Sequence, residues 1–314
     1  MAYMLDPDIA AALAHLAQAG SPTRPARGDW RALRTGGNAG QAYFASITPR
    51  FTGVAVATYF ARSIDGAPIE LRWYTRNGGS PGSAVVYAHG GGMVLGSLDA
   101  YDSLLSWYVA VTGVPFLSVD YRLAPEVTGT TLAEDNFAGL CWLLDHAEEL
   151  RVDLSRVALM GDSGGGAPTA GAAILARDRG ISVAHQILIY PMLDDRNLTP
   201  DPLLEPFATW TYDNNFTAWS AVLGRELGGE TVPAIAAPGR LINFADLAPV
   251  YIEVGELDIF RDEDIAYATQ LARAGVQVEL HVHPGAPHGY ERLAPRSPLA
   301  KRAMSDRMRV IESI

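Results

Sequence analysis

Two residue types are nearly missing from this chain of 314 residues: it has one cysteine, Cys141, and one lysine, Lys301. A single cysteine makes no internal disulfide, no cysteine-rich zinc site and no iron–sulfur cluster. A Walker A loop needs Gly-Lys-Ser/Thr, whereas Lys301 stands in Leu299-Ala300-Lys301-Arg302, so there is no P-loop. A Ser-x-x-Lys nucleophile needs serine three residues earlier, where Pro298 stands. A Schiff-base lysine needs burial to lower its pKa, and a charged C-terminal stretch does not offer that. No apolar run reaches the roughly 18 residues of a membrane-spanning helix. The N-terminal residues lack the basic segment and apolar core of a signal peptide. Positive charge is also short: 24 basic against 35 acidic side chains give −11. Phosphate backbones need a basic patch, so nucleic acid is not an expected partner. With no disulfide to protect, the expected location is cytoplasmic. Internal repeats and low-complexity segments are missing as well.

What is present reads as alternating strands and helices. Residues 7–19 are alanine-rich, with Asp8 in the first turn and Gly20 behind, which predicts a helix with a glycine stop. Residues 21–40, rich in glycine, proline and arginine, read as a loop. From Val54 two alternating β-branched stretches flank Asp65-Gly66, a hairpin signal. Short apolar runs follow at 84–88, 115–119, 157–160, 186–190, 250–254 and 276–282. Helical patterns lie at 98–112, 132–149, 165–178, 263–274 and 298–311. Unbroken apolar strands alternating with helices predict an α/β fold: a mostly parallel sheet, helices on both faces, opened by antiparallel strands. Residues 195–246 interrupt this alternation. That is long for a loop, and the natural reading is a cap over strand ends where ligands bind.

Three constellations carry chemistry. Gly161-Asp162-Ser163-Gly164-Gly165 lies between a strand and a helix, as a nucleophile elbow does. The same letters occur in chymotrypsin-like proteases, but those need an all-β double barrel. His89-Gly90-Gly91-Gly92 follows a strand directly. Its consecutive glycines let backbone N–H groups approach one oxygen, and with the N–H of Gly164 they would form an oxyanion hole. Gly90 stays open as a donor, because backbone aim is not written in the letters. A dinucleotide site fits less well, since G-x-G-x-x-G from Gly90 would end on Leu95. The third constellation is Asp258 and His288, each just past a strand end. The order Ser…Asp…His makes Ser163 the nucleophile, His288 its base and Asp258 the residue that orients the imidazole. His89 is expected to turn inward and brace the glycines. His281 and His283 share one strand face but lack a third ligand, so no metal is expected. Asp262 and Asp264 fall in a helix first turn, where acids need no function.

On these residues the chain resembles the hormone-sensitive-lipase-like α/β-hydrolases, bacterial family IV carboxylesterases. The matching pieces run in order from Val54 to Leu293: HGGG at 89–92, DYRLAPE at 120–126, GDSGG at 161–165, GELDIFRDE at 255–263 and HG at 288–289. The resemblance implies the triad Ser163, Asp258 and His288, and oxyanion donors Gly91, Gly92 and Gly164. It also implies a catalytic domain of residues 51–194 and 247–314 under a cap made by 1–50 and 195–246. It implies hydrolysis of short- to medium-chain acyl esters with no metal or cofactor. Three positions depart from the family pattern. Gly164 stands where alanine is usual, Asp258-Ile259-Phe260 replaces Asp-Pro-Leu, and VTGTTLAED follows Glu126 in place of a proline-aromatic stretch.

Trp210, Tyr212, Phe216 and Trp219 are candidates for the substrate pocket, and at helical spacing they equally suit a cap core. The expected partner is a small uncharged ester, with neither nucleic acid nor membrane involved, and a homodimer is left open. Two rival readings are an amide or peptide hydrolase on the same fold and a non-catalytic small-molecule receptor. Receptors of that kind have lost the catalytic histidine, and His288 is present.

Overall fold

The computed structural model describes residues 3–18, 24–48, 51–79 and 82–314. The short apolar runs become the centre of one eight-stranded sheet. Its strands are β1 (Val54–Arg62), β2 (Pro68–Arg76), β3 (Ala84–Ala88), β4 (Phe116–Val119), β5 (Val157–Asp162), β6 (His185–Ile189), β7 (Val250–Gly255) and β8 (Val278–His283). Their spatial order is β1-β2-β4-β3-β5-β6-β7-β8. β1 and β2 form an antiparallel hairpin, β2 meets β4 antiparallel, and every later pairing is parallel. Every residue of β3, β5 and β7 is buried. That is why these strands lack polar alternation: both faces are covered.

The helices are α1 (Pro7–Gln18), α2 (Trp30–Ile47), α3 (Leu98–Thr112), α4 (Thr131–Asp145), α5 (Ala147–Leu150), α6 (Gly166–Asp178), α7 (Tyr212–Leu223), α8 (Arg261–Arg273), α9 (Tyr290–Leu293) and α10 (Pro298–Glu312). One apolar core packs α4, α6 and α8 on one sheet face, with α7 joining it. A second core packs α1, α3 and α10 on the other face. The expected helix over 132–149 is broken at His146 into α4 and α5. The glycine stop expected at Gly20 lies outside the described residues.

The loop expected over 21–40 is corrected by α2, which begins at Trp30. Asp29 caps it, its carboxylate accepting the N–H of Ala32. Glycine in a helix interior costs about 1 kcal/mol relative to alanine, so three glycines argued against a helix. Gly37 shows what offsets that cost: a Cβ there would stand 2.3 Å from Leu95 Cδ2. The missing side chain lets α2 lie close over the loop after β3.

The 195–246 segment contains α7 and short 3₁₀ turns. Asp195 anchors its base, accepting from Gly228 N at 2.8 Å and Arg240 Nη2 at 2.8 Å. The segment meets the N-terminal one directly. Gly28 N donates to Thr217 Oγ1 at 2.8 Å, and the Arg27 guanidinium lies 3.9 Å over the Phe216 ring and pairs with Asp213. Among the described residues no helix is long and apolar enough to cross a membrane.

Candidate active site

Ser163 sits in the turn between β5 and α6 with φ +53°. That left-handed conformation is strained for a residue with a Cβ, and such strain persists only where the surroundings fix it. The serine is 8% exposed. Its Oγ lies 2.8 Å from His288 Nε2, and His288 Nδ1 lies 2.7 Å from Asp258 Oδ2. Asp258 is fully buried, and its Oδ1 accepts the N–H of Phe260 at 3.0 Å. The rings of Tyr190 and Phe260 meet the imidazole edge-on, at 4.6 and 5.2 Å between centroids. Thr209, in the 195–246 segment, donates its hydroxyl to the His288 carbonyl at 2.7 Å. Three segments far apart in sequence thus meet at the C-terminal edge of the sheet, and packing on two sides holds the imidazole.

Beside Ser163 runs the glycine loop. An alanine Cβ at Gly164 would stand 2.2 Å from Gly92 N, so the two backbones are in direct contact. Gly90 is otherwise engaged: its N–H donates to Tyr101 Oη at 3.0 Å. Tyr101 in turn donates to Asp162 Oδ2 at 3.1 Å, and Arg292 Nη2 donates to the same oxygen at 3.1 Å. One buried carboxylate next to Ser163 therefore ties together the glycine loop and the segment after His288. His89 is buried and turned inward, with Nδ1 3.0 Å from Gly90 O and its ring stacked on Tyr121. Burial lowers its pKa, which favours the neutral imidazole.

The four aromatic candidates separate. Trp210 is half-buried against the glycine loop: a Cβ on Gly92 would meet its Cζ2 at 2.5 Å. Tyr212 and Trp219 are buried in the apolar core beneath, and Phe216 lies under Arg27. The competing acids are also placed. Asp262 pairs with Arg261. Asp264 is fully buried, with neither carboxylate oxygen hydrogen-bonded. Burial, with Glu263 and Asp258 nearby, pushes its pKa well up. His281 and His283 have rings 6.0 Å apart. No group of three His, Cys, Asp or Glu that could hold a metal occurs among the described residues. Thr209, Tyr101, Tyr190 and Arg292 belong to no short motif, and sequence reasoning passed over them.

The family described as alpha/beta hydrolase fold matches residues 85–292. The esterase LipI of Mycobacterium tuberculosis is 38% identical over 254 residues, which is 77% of each chain. The ethyl acetate hydrolase of Pseudomonas putida is 34% identical over 243 residues, 73% of each. Among solved structures, a bacterial heroin esterase superposes with a TM-score of 0.88 at 32% identity, covering 99% of this chain and 98% of that one.

Proposed function

The chain belongs to the α/β-hydrolase family, in its hormone-sensitive-lipase-like branch, and from that membership we propose how it works as a carboxylic ester hydrolase. Ser163 Oγ attacks the ester carbonyl while His288 Nε2 takes its proton. Asp258 holds the imidazole tautomer and stabilises the charged form. The carbonyl π electrons move to oxygen, and the N–H groups of Gly91, Gly92 and Gly164 receive that oxyanion. The intermediate collapses, the alcohol leaves with the proton from His288, and water activated by the same imidazole releases the acid. The observation that carries this reading is the unbroken chain Ser163–His288–Asp258, with links of 2.8 and 2.7 Å.

Trp210 against the glycine loop supports a site sized for short to medium acyl chains, and a relative named for ethyl acetate points the same way. The contacts of Gly28 and Arg27 with α7 support a single cap made from residues 1–50 and 195–246. Cys141 makes no demand for an oxidising compartment, which supports a cytoplasmic setting.

The test is a series of p-nitrophenyl esters of rising acyl length, with wild type and Ser163→Ala. Wild-type kcat/KM is expected to peak at short or medium chains, and Ser163→Ala is expected to lose roughly 10⁴–10⁶-fold in kcat. Undiminished turnover in Ser163→Ala would overturn the mechanism, and a peak at long chains would overturn the substrate class. An amide of the same acid, assayed in parallel, separates esterase from amidase.

A further inference from the structure

A trans peptide unit is planar, so its C=O and N–H point in opposite directions. Anchoring the carbonyl therefore aims the N–H. The three proposed oxyanion donors belong to peptide units whose carbonyls are those of Gly90, Gly91 and Ser163. Gly91 O accepts from Val94 N and Leu95 N, both at 3.1 Å. Ser163 O accepts from Met192 N at 2.9 Å and from Gly166 N. Backbone of the α/β core thus anchors two of the three. Gly90 O differs, because its partners are side chains: His89 Nδ1 at 3.0 Å and Gln41 Nε2 at 3.2 Å.

His89 is the neighbouring residue in the chain, whereas Gln41 comes from α2. Two further residues on the same helix, at spacings of three and four, also touch this loop. Asn38 Oδ1 accepts the N–H of Gly96 at 2.9 Å, and Arg34 Nε donates to Val94 O at 2.5 Å. We infer that Gln41 is a positioning residue of the oxyanion hole: through Gly90 O, the N-terminal helix aims the Gly91 N–H at the reacting oxygen. A donor on the carbonyl also polarises the whole peptide, so the Gly91 N–H becomes a better donor as negative charge develops opposite it. The benefit grows in the transition state and so falls on kcat.

This inference rests on the proposed triad and oxyanion hole. The test uses the full chain with Gln41→Ala and Gln41→Met, the second keeping the side-chain length without a donor. Both are good helix formers at a half-buried position. Three quantities are measured. They are kcat and KM on a short p-nitrophenyl ester, affinity for a trifluoromethyl ketone, and affinity for the matching trifluoromethyl carbinol. The ketone forms a hemiketal oxyanion with Ser163, with the serine proton passing to His288; the carbinol cannot. Both variants are expected to lose about tenfold in kcat and in ketone affinity. That is a fraction of the 10²–10³-fold that roughly attends loss of a whole oxyanion donor. KM and carbinol affinity are expected to stay within about twofold.

Asn38→Ala, which removes a contact from the same helix to the far end of the loop, is expected to change kcat less than about twofold. Wild-type kcat and ketone affinity in the Gln41 variants would overturn the inference. So would an equal loss of carbinol affinity, which would make Gln41 a contact that holds the pocket. Ser163→Ala in the same assays separates the two levels. Retained hemiketal formation there would fell the mechanism itself, while its loss beside unaffected Gln41 variants would fell only the role of Gln41.

Discussion

Position 164 is where one atom decides the geometry. The family pattern places alanine after the serine, yet a Cβ here would stand 2.2 Å from Gly92 N and 2.5 Å from Gly92 Cα. Both neighbours are backbone, so the glycine loop would have to retreat. Gly164→Ala is therefore expected to be harmful in this protein. Displacing positioned groups by about 1 Å costs up to roughly 10²-fold, so kcat should fall by about 10–10²-fold with KM little changed. Steady-state kinetics on a short ester decide the matter, and a variant as active as wild type would show that the loop tolerates the methyl group. The departure from the family pattern at this position is, in the structure, the condition for the close approach of the Gly164 and Gly92 backbones.

Between α2 and the core, Arg34 acts as a clamp. Its guanidinium donates to Ala124 O at 2.7 Å and to both carboxylate oxygens of Glu126 at 2.7 Å, besides Val94 O. A bidentate pair with two carbonyl contacts is stronger than an ordinary surface ion pair. Arg34→Ala is expected to loosen this element without unfolding the sheet. Chymotrypsin should then cut at Tyr43 and Phe44 faster than in wild type, while the main thermal transition moves little. An unchanged cleavage pattern would mean that apolar contacts alone, such as that of Leu95 on Gly37, hold the helix down. This helix also marks the limit of what the sequence could say. Buried strands announce themselves as apolar runs, and Ser163, Asp258 and His288 stand in short local motifs at strand ends. α2 was hidden because three glycines speak against a helix, and the close packing that Gly37 serves is revealed only by its folded partner, Leu95. Gln41 and Thr209 were hidden for a related reason, since each acts on a backbone carbonyl 49 and 79 residues away.

On the scale of the whole molecule, a buried charge network joins the C-terminal helix to the sheet behind the site. Arg307 of α10 is 1% exposed. Its Nε donates to Glu253 of β7 at 2.9 Å, and its Nη1 reaches Glu291 of α9 at 3.4 Å. Tyr290 and Tyr251 donate to Glu253 at 2.7 and 2.6 Å, and Tyr190 donates to Glu291 at 2.5 Å. Burial works against the charge on Arg307, but Glu253 and Glu291 outweigh it and hold its pKa well above the ordinary arginine value. Removing one partner from such a cluster leaves buried charge unpaired, which costs about 3–5 kcal/mol. Arg307→Met is expected to lose that much in denaturant-induced unfolding. Arg307→Met with Glu253→Gln should recover part of the loss, because the amide carries no charge, its oxygen accepts from one tyrosine and its NH2 can donate to the hydroxyl oxygen of the other. The network also reaches the proposed triad through one ring, since Tyr190 both donates to Glu291 and meets His288 edge-on at 4.6 Å. Under conditions where it is still folded, Arg307→Met should therefore lose kcat as well as stability. A folded variant with wild-type kcat would show that the imidazole is held by Asp258 and Phe260 without help from the charge cluster.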